Sequence, residues 1–395
     1  MPSGYIELNL NLGAAYVKES RLDDIRAVDA VIFDCDGVLI DIRESYDRAI
    51  SKTTAHLYGM LTGQRISEEV ISDEIIFLFR RSGGFNNDWD IVYGALMFLL
   101  SELPKNLLTK IAEEAGELIS ERDAFKRALK MSERMRLNAG GVEVKLPDLA
   151  AELKAFTDTL DEIGEASVDR ALLSSGRIPE DIYGLLKAFI RGSGVVGGDI
   201  IATFFEEIFC GPKLFEEIYN VKPRFYAGSG MIERGKPIIS VETLNRLSSM
   251  IGGPRFGIAS GSRFMSAKYV LRNILDMFNP KAQVFLDDIE AAENEYSKRG
   301  LRVSFKKPNP LSLFRSAWSL EPFRRALFVG DSMEDAMAVE RANRLDSRFI
   351  SAGVYWHTAV RDKALKEFLK FGCDIIMPSV NDIPMILEVF RGRRE

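Results

Sequence analysis

The stretch 30–39, AVIFDCDGVL, decides the fold, because an apolar run ends there in two closely spaced acids. Residues 31–33 have the continuous apolar character of a strand that is buried on both faces of a parallel sheet. Asp34 and Asp36 follow directly, and side chains two residues apart in an extended chain point the same way. Charges beside a core need partners, so the pair indicates a functional strand end. A plain strand followed by an Asp-Gly turn is the alternative.

Length and composition limit the class of protein. The chain has 395 residues, of which 46% are hydrophobic, and this is enough for two folded units. The formal net charge of -6 gives no basic excess, so we expect neither nucleic acid nor a membrane as partner. The three cysteines lack paired spacing, and two histidines make a histidine metal cluster unexpected. Without a leader or a long apolar run, the sequence predicts a cytoplasmic protein.

The middle of the chain differs from its flanks. Residues 43–235 show helical periodicity and no convincing strand, and they are far more than the dozen residues that a parallel crossover needs. We therefore predict an all-helical domain inserted at 43–235. Residues 1–42 and 236–395 would form the core domain, in which residues 1–28 are predicted to be an N-terminal extension with an edge strand.

Strand-like runs return after the insert and alternate with helical patterns. The predicted strands are 256–260, 283–288, 326–331, 349–354 and 374–377, and the predicted helices are 265–278, 310–320, 333–342, 361–371 and 381–390. This alternation predicts an α/β fold with a doubly wound, Rossmann-like parallel sheet and right-handed crossovers.

Three further segments carry polar residues at or near predicted strand ends. Ser260 and Gly261 can offer a hydroxyl and backbone N–H groups to an anion, although serine is also a common helix cap. Lys307 lies on a loop stiffened by two prolines, where a solvated lysine is the alternative. Asp331 ends a strand and Asp335 follows one helical turn later, so the two carboxylates can face one site; helix capping by Asp331 or Ser332 is the alternative.

These segments are expected to converge. Parallel strands place their carboxyl ends at one edge of the sheet, which would bring four acids, a lysine and a serine together. Acids at that density repel one another unless a cation is present, and oxygen ligands suit Mg²⁺. The lysine and the serine turn in addition need an anion. A metal-bridged phosphate group satisfies both requirements.

The four segments resemble, in order, the four motifs of the haloacid dehalogenase (HAD) superfamily. The matching residues are Asp34-x-Asp36-Gly37-Val38, Ser260, Lys307-Pro308-x-Pro310 and Gly330-Asp331-Ser332-x-x-Asp335. The insert follows the first motif, where the phosphoglycolate-phosphatase-like branch of that superfamily carries a helical cap. Residues 84–90, GFNNDWD, also look like the cap signature of a phosphatase-like subgroup, whereas residues 104–198 resemble nothing in the family.

The resemblance implies a two-step reaction. Asp34 would attack phosphorus and form an aspartyl-phosphate, and Asp36 would first protonate the leaving oxygen and then deprotonate the attacking water. An acid at position 36 favours phosphate ester chemistry, because dehalogenases and phosphonate-cleaving members lack it. Phosphomutases keep this acid, so that reaction stays open.

The resemblance also implies the binding residues. Mg²⁺ would be held by Asp34, the backbone carbonyl of Asp36, Asp331 and Asp335. The phosphoryl oxygens would be bound by Ser260, the Gly261 N–H and Lys307.

The expected substrate is a small phosphorylated metabolite, selected by the cap. The candidate specificity residues are Asn86, Asn87, Asp88 and Trp89. A helix N-cap beside a packed tryptophan is the alternative interpretation of this loop. The sequence thus predicts a Mg²⁺-dependent phosphatase, with a phosphomutase as the alternative enzyme. A non-catalytic binding protein that uses the long helical insert as a partner surface is the alternative from another class.

Overall fold

The chain divides into two compact units. The computed structural model describes residues 3–85, 87–138, 149–358 and 360–392. The core unit comprises Met1–Arg43 and Gly235–Glu395, and the inserted unit comprises Glu44–Arg234. Within the described ranges, no helix combines the length and the apolar character that crossing a membrane requires.

The core unit is built on an eight-stranded sheet. The strands of the described chain are β1 (Tyr5–Leu10), β2 (Gly13–Lys18), β3 (Val28–Phe33), β4 (Ile40–Asp41), β5 (Lys236–Pro237), β6 (Phe256–Ala259), β7 (Gln283–Val284), β8 (Arg325–Gly330), β9 (Phe349–Val354) and β10 (Ile375–Met377). The order in the sheet is β1-β2-β10-β9-β8-β3-β6-β7, and β4 pairs separately with β5. All neighbours from β10 to β7 are parallel, whereas β2 is antiparallel to both β1 and β10.

The helices follow in chain order. The first ten are α1 (Leu22–Arg26), α2 (Tyr46–Thr62), α3 (Asp73–Arg81), α4 (Asp88–Ser101), α5 (Lys105–Leu118), α6 (Ala124–Asn138), α7 (Leu149–Thr157), α8 (Glu165–Ser174), α9 (Glu180–Arg191) and α10 (Ile200–Tyr219). The others are α11 (Val241–Ile251), α12 (Phe264–Leu271), α13 (Leu286–Lys298), α14 (Leu311–Trp318), α15 (Met333–Asn343), α16 (Arg361–Phe371) and α17 (Ile383–Gly392). The inserted unit contains α2 to α10, and its described residues form helices without a strand of the sheet.

The central strand β3 is covered on both faces. Ala30 and Ile32 belong to a buried cluster with residues of α14 and α15. Val31 and Phe33 alternate with them and are buried as well, and α11 also packs against β3. Burial on both faces explains the continuous apolar sequence of this strand. The predicted doubly wound α/β fold, a Rossmann-like core with a helical insert, is therefore confirmed.

The N-terminal segment belongs to the sheet. The sequence predicts an extension with one edge strand, whereas the structure shows a hairpin, β1–β2, whose second strand pairs with β10 through Val17 and Ile375. The Tyr5 hydroxyl donates a hydrogen bond to the Cys373 carbonyl over 2.8 Å. Strand β2, GAAYVK, was missed because its small residues weaken the alternation that identifies β1.

The predicted strand 283–288 is too long. Only Gln283–Val284 forms a strand, and α13 begins at Leu286. The Asp288 carboxylate accepts a hydrogen bond from the Phe285 N–H over 2.9 Å, which ends the strand and starts the helix. Acids in the first turn of a helix are stabilised by its dipole, so the acid pair at 287–288 marks a helix start.

The chain leaves and re-enters the core unit at neighbouring positions. Strand β4 pairs with β5 through Ile40 and Pro237, and the Ile238 N–H donates to the Leu39 carbonyl over 2.7 Å. The insertion therefore starts and ends beside a two-stranded ladder that lies outside the main sheet.

The inserted unit is organised around α4. Residues 91–101 of this helix are buried on every side, as expected for a central helix that packs against α2 and α8. Nearby, Arg191 forms ion pairs with Asp90 over 3.1 Å and with Glu165 over 2.9 Å. A helical unit with its own apolar centre accounts for the compactness of Glu44–Arg234.

If β2 is an integral strand, its core side chain should contribute to stability. We expect Val17→Ala, at a fully buried position, to lower the free energy of unfolding by about 1–2 kcal/mol through the lost methyl groups and the cavity. Val241→Ala, where the valine is 48% exposed, should stay within about 0.5 kcal/mol of wild type. Chemical denaturation followed by circular dichroism measures both. Equal losses in the two variants would contradict the assignment of β2 to the core.

Candidate active site

The sheet brings the predicted polar segments of the core unit together. Phe33, the last residue of β3, pairs with Ile258 of β6 on one side and with Val329 of β8 on the other. Asp34 and Asp331 therefore leave adjacent strands at the same edge. The Asp34 N–H donates to the Val329 carbonyl over 2.8 Å, so the first acid is still held by the sheet.

A lysine joins two of the acids. The Lys307 ammonium lies 2.7 Å from Asp34 Oδ1 and 2.6 Å from Asp335 Oδ1, and all three residues are at most 9% exposed. The same ammonium lies 5.3 Å from the centre of the Phe328 ring, within range of a cation–π contact. Buried charges with this many partners form a preorganised site rather than a solvated surface cluster.

The electrostatics favour positive charge here. Burial tends to lower the pKa of Lys307, but Asp335 and Asp34 outweigh it and hold the pKa above its usual value. The lysine is therefore charged. Burial raises the pKa of the Asp34 carboxyl above its usual range, with Lys307 opposing and Asp335 adding to the shift. A second positive charge near Asp34 would favour its ionised form.

Three carboxylates fit a cation. One oxygen each from Asp34, Asp331 and Asp335 lie within 4.8 Å of one another. Ligand oxygens around one Mg²⁺-sized ion lie about 3–4 Å apart, so small side-chain rotations would bring these oxygens onto one ion. One lysine offsets a single one of the three negative charges, so a divalent cation would neutralise the rest. The chemistry and spacing of these oxygens fit a hard divalent metal ion.

Two glycines allow the acids to approach closely. Gly37 has φ +71°, and a Cβ atom there would collide with the Asp331 carboxylate. A Cβ atom at Gly330 would likewise collide with the Asp335 side chain. The glycines that flank the two acid motifs are thus required by the packing of the carboxylates.

Asp335 has two tasks. Its Oδ2 accepts hydrogen bonds from the Ser332 hydroxyl over 2.8 Å and from the Ser332 N–H over 3.2 Å. The second bond, together with the bond from the Asp335 N–H to the Ser332 hydroxyl over 3.4 Å, forms a capping box at the start of α15. Its Oδ1 receives Lys307. The predicted capping alternative is therefore correct for Ser332, and the same carboxylate also belongs to the acid cluster.

The loop after β6 reaches the second acid of the first motif. Ser262 donates a hydrogen bond to Asp36 Oδ2 over 2.5 Å, and the Ser260 and Ser262 hydroxyl oxygens are 3.1 Å apart. Ser260 is 3% exposed and Gly261 follows it at this strand end. Sequence reasoning assigned no role to Ser262. The available signal was the spacing of two hydroxyls, two residues apart after a strand, which parallels Asp34 and Asp36.

The environment of Cys35, between the two acids, keeps its thiol unreactive. It is fully buried. Burial raises the pKa of its thiol well above the usual value, and the charges of Asp36 and Asp34 add to this shift. A thiol in this setting stays protonated and is a packing group rather than a nucleophile.

The predicted specificity residues lie in the inserted unit. Asn86 falls outside the described residues. The Asn87 side chain accepts a hydrogen bond from the Trp89 N–H over 3.0 Å and caps α4. The Trp89 indole donates to Glu206 over 2.9 Å, and Asp88 pairs with Arg80 over 3.0 Å. These contacts account for the packing of the segment, and its role in selecting substrate stays a prediction.

Arg80 forms ion pairs with two acids of the inserted unit. Besides Asp88, it forms an ion pair with Asp47 over 2.8 Å. Burial raises the pKa of Asp47 to about 6, although the charge of Arg80 opposes that shift. Removing this guanidinium would leave the buried Asp47 and the half-buried Asp88 without their shared positive charge, so Arg80 has a clear structural task.

Comparisons with known proteins agree with the fold. The family model described as haloacid dehalogenase-like hydrolase matches residues 28–343. An X-ray structure of a Northeast Structural Genomics Consortium target has a TM-score of 0.60 at 17% identity, with 93% of this chain and 100% of that chain covered. That likeness shows the fold alone.

A second solved structure is phosphatase Tt82 from Thermococcus thioreducens. It has a TM-score of 0.45 at 18% identity, with 87% of this chain and 99% of that chain covered, and a likeness at this level supports no conclusion. A comparison with curated proteins found no match.

The acid cluster predicts metal-dependent stability. Adding Mg²⁺ to metal-free wild-type protein should raise the melting temperature, because a ligand at 100 times its Kd stabilises the folded state by about 2.7 kcal/mol. Asp331→Asn removes one anionic ligand and should lose at least half of this rise. Differential scanning fluorimetry with and without EDTA measures the effect.

The matched control is Asp23→Asn, because the Asp23 side chain is 95% exposed and lies in the same unit. This variant should keep the full rise. A rise of the same size in Asp331→Asn would show that the metal binds elsewhere.

Proposed function

Because the chain belongs to the haloacid dehalogenase-like hydrolase family, we propose that it is a phosphatase that hydrolyses a small phosphorylated metabolite. The family predicted from the four motifs is confirmed, and so is the prediction of a hydrolase. The observation that carries the phosphatase proposal is the buried Lys307 ammonium between Asp34 and Asp335, beside a third acid. A site with these charges offers places for both a cation and a phosphoryl anion.

Asp34 is the proposed nucleophile. It lies at the end of β3 and is 7% exposed, so its carboxylate is fixed by the sheet. One carboxylate oxygen attacks phosphorus while the bond from phosphorus to the ester oxygen breaks, which gives an aspartyl-phosphate and an alcohol. Water then attacks the same phosphorus, the bond to the Asp34 oxygen breaks, and inorganic phosphate leaves.

Asp36 is the proposed general acid and base. In the first step it gives a proton to the departing ester oxygen, and in the second it takes a proton from the attacking water, so the proton balance closes over one cycle. Its position two residues after Asp34 supports this role, because one short loop carries both groups.

The phosphoryl group is proposed to be bound by the Ser260 hydroxyl, the Gly261 N–H and the Lys307 ammonium. Ser260 is buried at the end of β6, and Lys307 already lies 2.7 Å from the proposed nucleophile. Donors that are fixed before the substrate arrives stabilise the charge that develops on the transferring group without reorganisation.

The proposed cofactor is Mg²⁺. Asp34 and Asp331 would hold it together with the backbone carbonyl of Asp36, while Asp335, whose oxygens already accept hydrogen bonds from Lys307 and Ser332, would assist directly or through water. A bound divalent ion supplies charge neutralisation between the nucleophile and the phosphoryl oxygens.

We further propose that Glu44–Arg234 is the cap domain and that its residues 86–89 help to select the substrate. The other predicted reaction, a phosphomutase, uses the same proposed nucleophile and acid. It differs in its need for a bisphosphate activator, which gives a simple way to separate the two reactions.

Hydrolysis of p-nitrophenyl phosphate with Mg²⁺ tests the proposal. Asp34→Asn should reduce turnover to the background, because the amide oxygen is a poor nucleophile. Lys307→Ala should lower kcat by roughly 10²–10³-fold through the loss of one charged donor. Turnover should also cease in EDTA and return when Mg²⁺ is added.

The matched controls are Asp23→Asn and Lys306→Ala, which make the same changes at an exposed acid and at the neighbouring lysine. Both should keep wild-type activity. Undiminished turnover in Asp34→Asn would refute the assigned nucleophile. Conversion of a phosphorylated metabolite into its positional isomer, only in the presence of a bisphosphate, would identify the mutase reaction instead.

A further inference from the structure

We propose that Ser262 is a positioning residue that fixes the Asp36 carboxylate for proton transfer. This inference rests on the proposed phosphatase function. Ser262 is 6% exposed, and its hydroxyl lies 2.5 Å from Asp36 Oδ2. A hydrogen bond of this length from a hydroxyl to a carboxylate oxygen is in the range of the strong, charge-assisted bonds. Its two partners are 226 residues apart in the sequence, so the bond joins two separate strand ends.

The backbone that carries Ser262 is fixed by its neighbours. The Ser260 N–H donates to the Val284 carbonyl over 3.0 Å, and the Leu286 N–H donates to the Ser262 carbonyl, also over 3.0 Å. The Ser262 N–H in turn donates to the Ser260 hydroxyl over 3.1 Å. Bonds before, within and after the turn thus set the direction in which the Ser262 hydroxyl points.

The residues that follow strengthen this support. Arg263 forms ion pairs with Asp287 over 3.1 Å and with Glu290 over 3.0 Å, and the Phe264 N–H donates to Asp287 Oδ2 over 2.8 Å. The start of α12 is thereby attached to the start of α13. The acids at the start of α13 therefore act as supports for the loop that carries Ser262.

The Asp36 side chain needs a contact from outside its own turn to fix its orientation. It lies in a tight turn in which the Leu39 and Ile40 N–H groups both donate to the Cys35 carbonyl, over 2.8 and 2.9 Å. That turn fixes the backbone, but the terminal torsion of an aspartate is broad and leaves the carboxylate plane poorly defined. The bond from Ser262 defines that plane by holding Oδ2.

The bond leaves the proton transfers to the Asp36 carboxyl group. In the first step a proton moves from the Asp36 carboxyl to the ester oxygen as the bond from that oxygen to phosphorus breaks. In the second step a water proton moves to the Asp36 carboxylate. Ser262 keeps its own proton throughout and touches neither substrate nor phosphorus.

This role predicts a dependence on the leaving group. General acid catalysis matters for an ester whose leaving oxygen is basic and matters little for one whose leaving oxygen is already stable as an anion. Phenyl phosphate belongs to the first class and p-nitrophenyl phosphate to the second. The ratio of their kcat/KM values therefore reports proton donation by Asp36, because kcat/KM includes the step in which the ester bond breaks and excludes the later hydrolysis of the aspartyl-phosphate.

The experiment compares both esters in full-length protein with Mg²⁺. Ser262→Ala should lower kcat/KM for phenyl phosphate by roughly 10–100-fold, which is less than the loss expected when the general acid itself is removed. The same variant should lower kcat/KM for p-nitrophenyl phosphate much less. Ser262→Thr, which keeps the hydroxyl, should restore the ratio of the two esters towards the wild-type value. Melting temperatures of all variants monitor folding.

The matched control is Ser316→Ala. Ser316 is fully buried in the same unit, and its hydroxyl donates to the Ala282 carbonyl over 2.7 Å, so the change removes a comparable hydrogen bond outside the site. It should leave the ratio of the two esters unchanged, even if the melting temperature falls.

The outcomes separate the two proposals. If Ser262→Ala lowers kcat/KM for both esters by the same factor, or for neither, the positioning role is refuted while the phosphatase stands. If the wild-type protein turns over neither ester, the proposed function is refuted and the positioning role with it. A changed ratio in Ser262→Ala that Ser262→Thr reverses supports the role.

Discussion

The ammonium of Lys307, held between Asp34 and Asp335, is the interaction on which the site depends. The two acids are almost fully buried, and in the absence of a cation each would carry a large desolvation penalty. Lys307 is 273 residues from Asp34 in the sequence and 28 from Asp335, so one side chain joins three segments. Removing it would leave two carboxylates without a shared positive charge, which is more damaging than the loss of an ordinary hydrogen bond.

The sheet makes that arrangement possible. Because β3 lies between β6 and β8 in parallel register, their carboxyl ends deliver side chains to one edge. Gly37 and Gly330 then remove the Cβ atoms that would keep the carboxylates apart. The sheet thus positions the carboxyl ends of the strands, and the two glycines determine how closely the carboxylates can approach one another. The same edge carries the hydroxyl loop after β6, which reaches Asp36.

Much of this was predictable from the sequence because the signals are local. The apolar run of β3 and its two acids identified the central strand and the family, and helical periodicity identified the all-helical insert. The predictions failed where contacts between distant parts of the chain determine the secondary structure. Strand β2 pairs through Tyr16 and Val17 with β10, which is distant in the sequence. Leu286 continues an apolar run although a helix begins there. The spacing of Ser260 and Ser262 after a strand marks two hydroxyls, but it does not identify Asp36 as a partner, because Asp36 follows a strand that is distant in the sequence.

The short ladder of β4 and β5 has a consequence for the inserted chain. The two ends of the insertion lie in one pair of hydrogen-bonded strands. The distance between these ends is therefore set by the core unit and does not depend on the chain inserted between them. The entropy of closing a loop grows slowly with its length, and this ladder fixes the ends independently of what they enclose. The helical insert can therefore be replaced by a chain of different length and sequence while the edge of the sheet that carries Lys307 and its acids keeps its geometry.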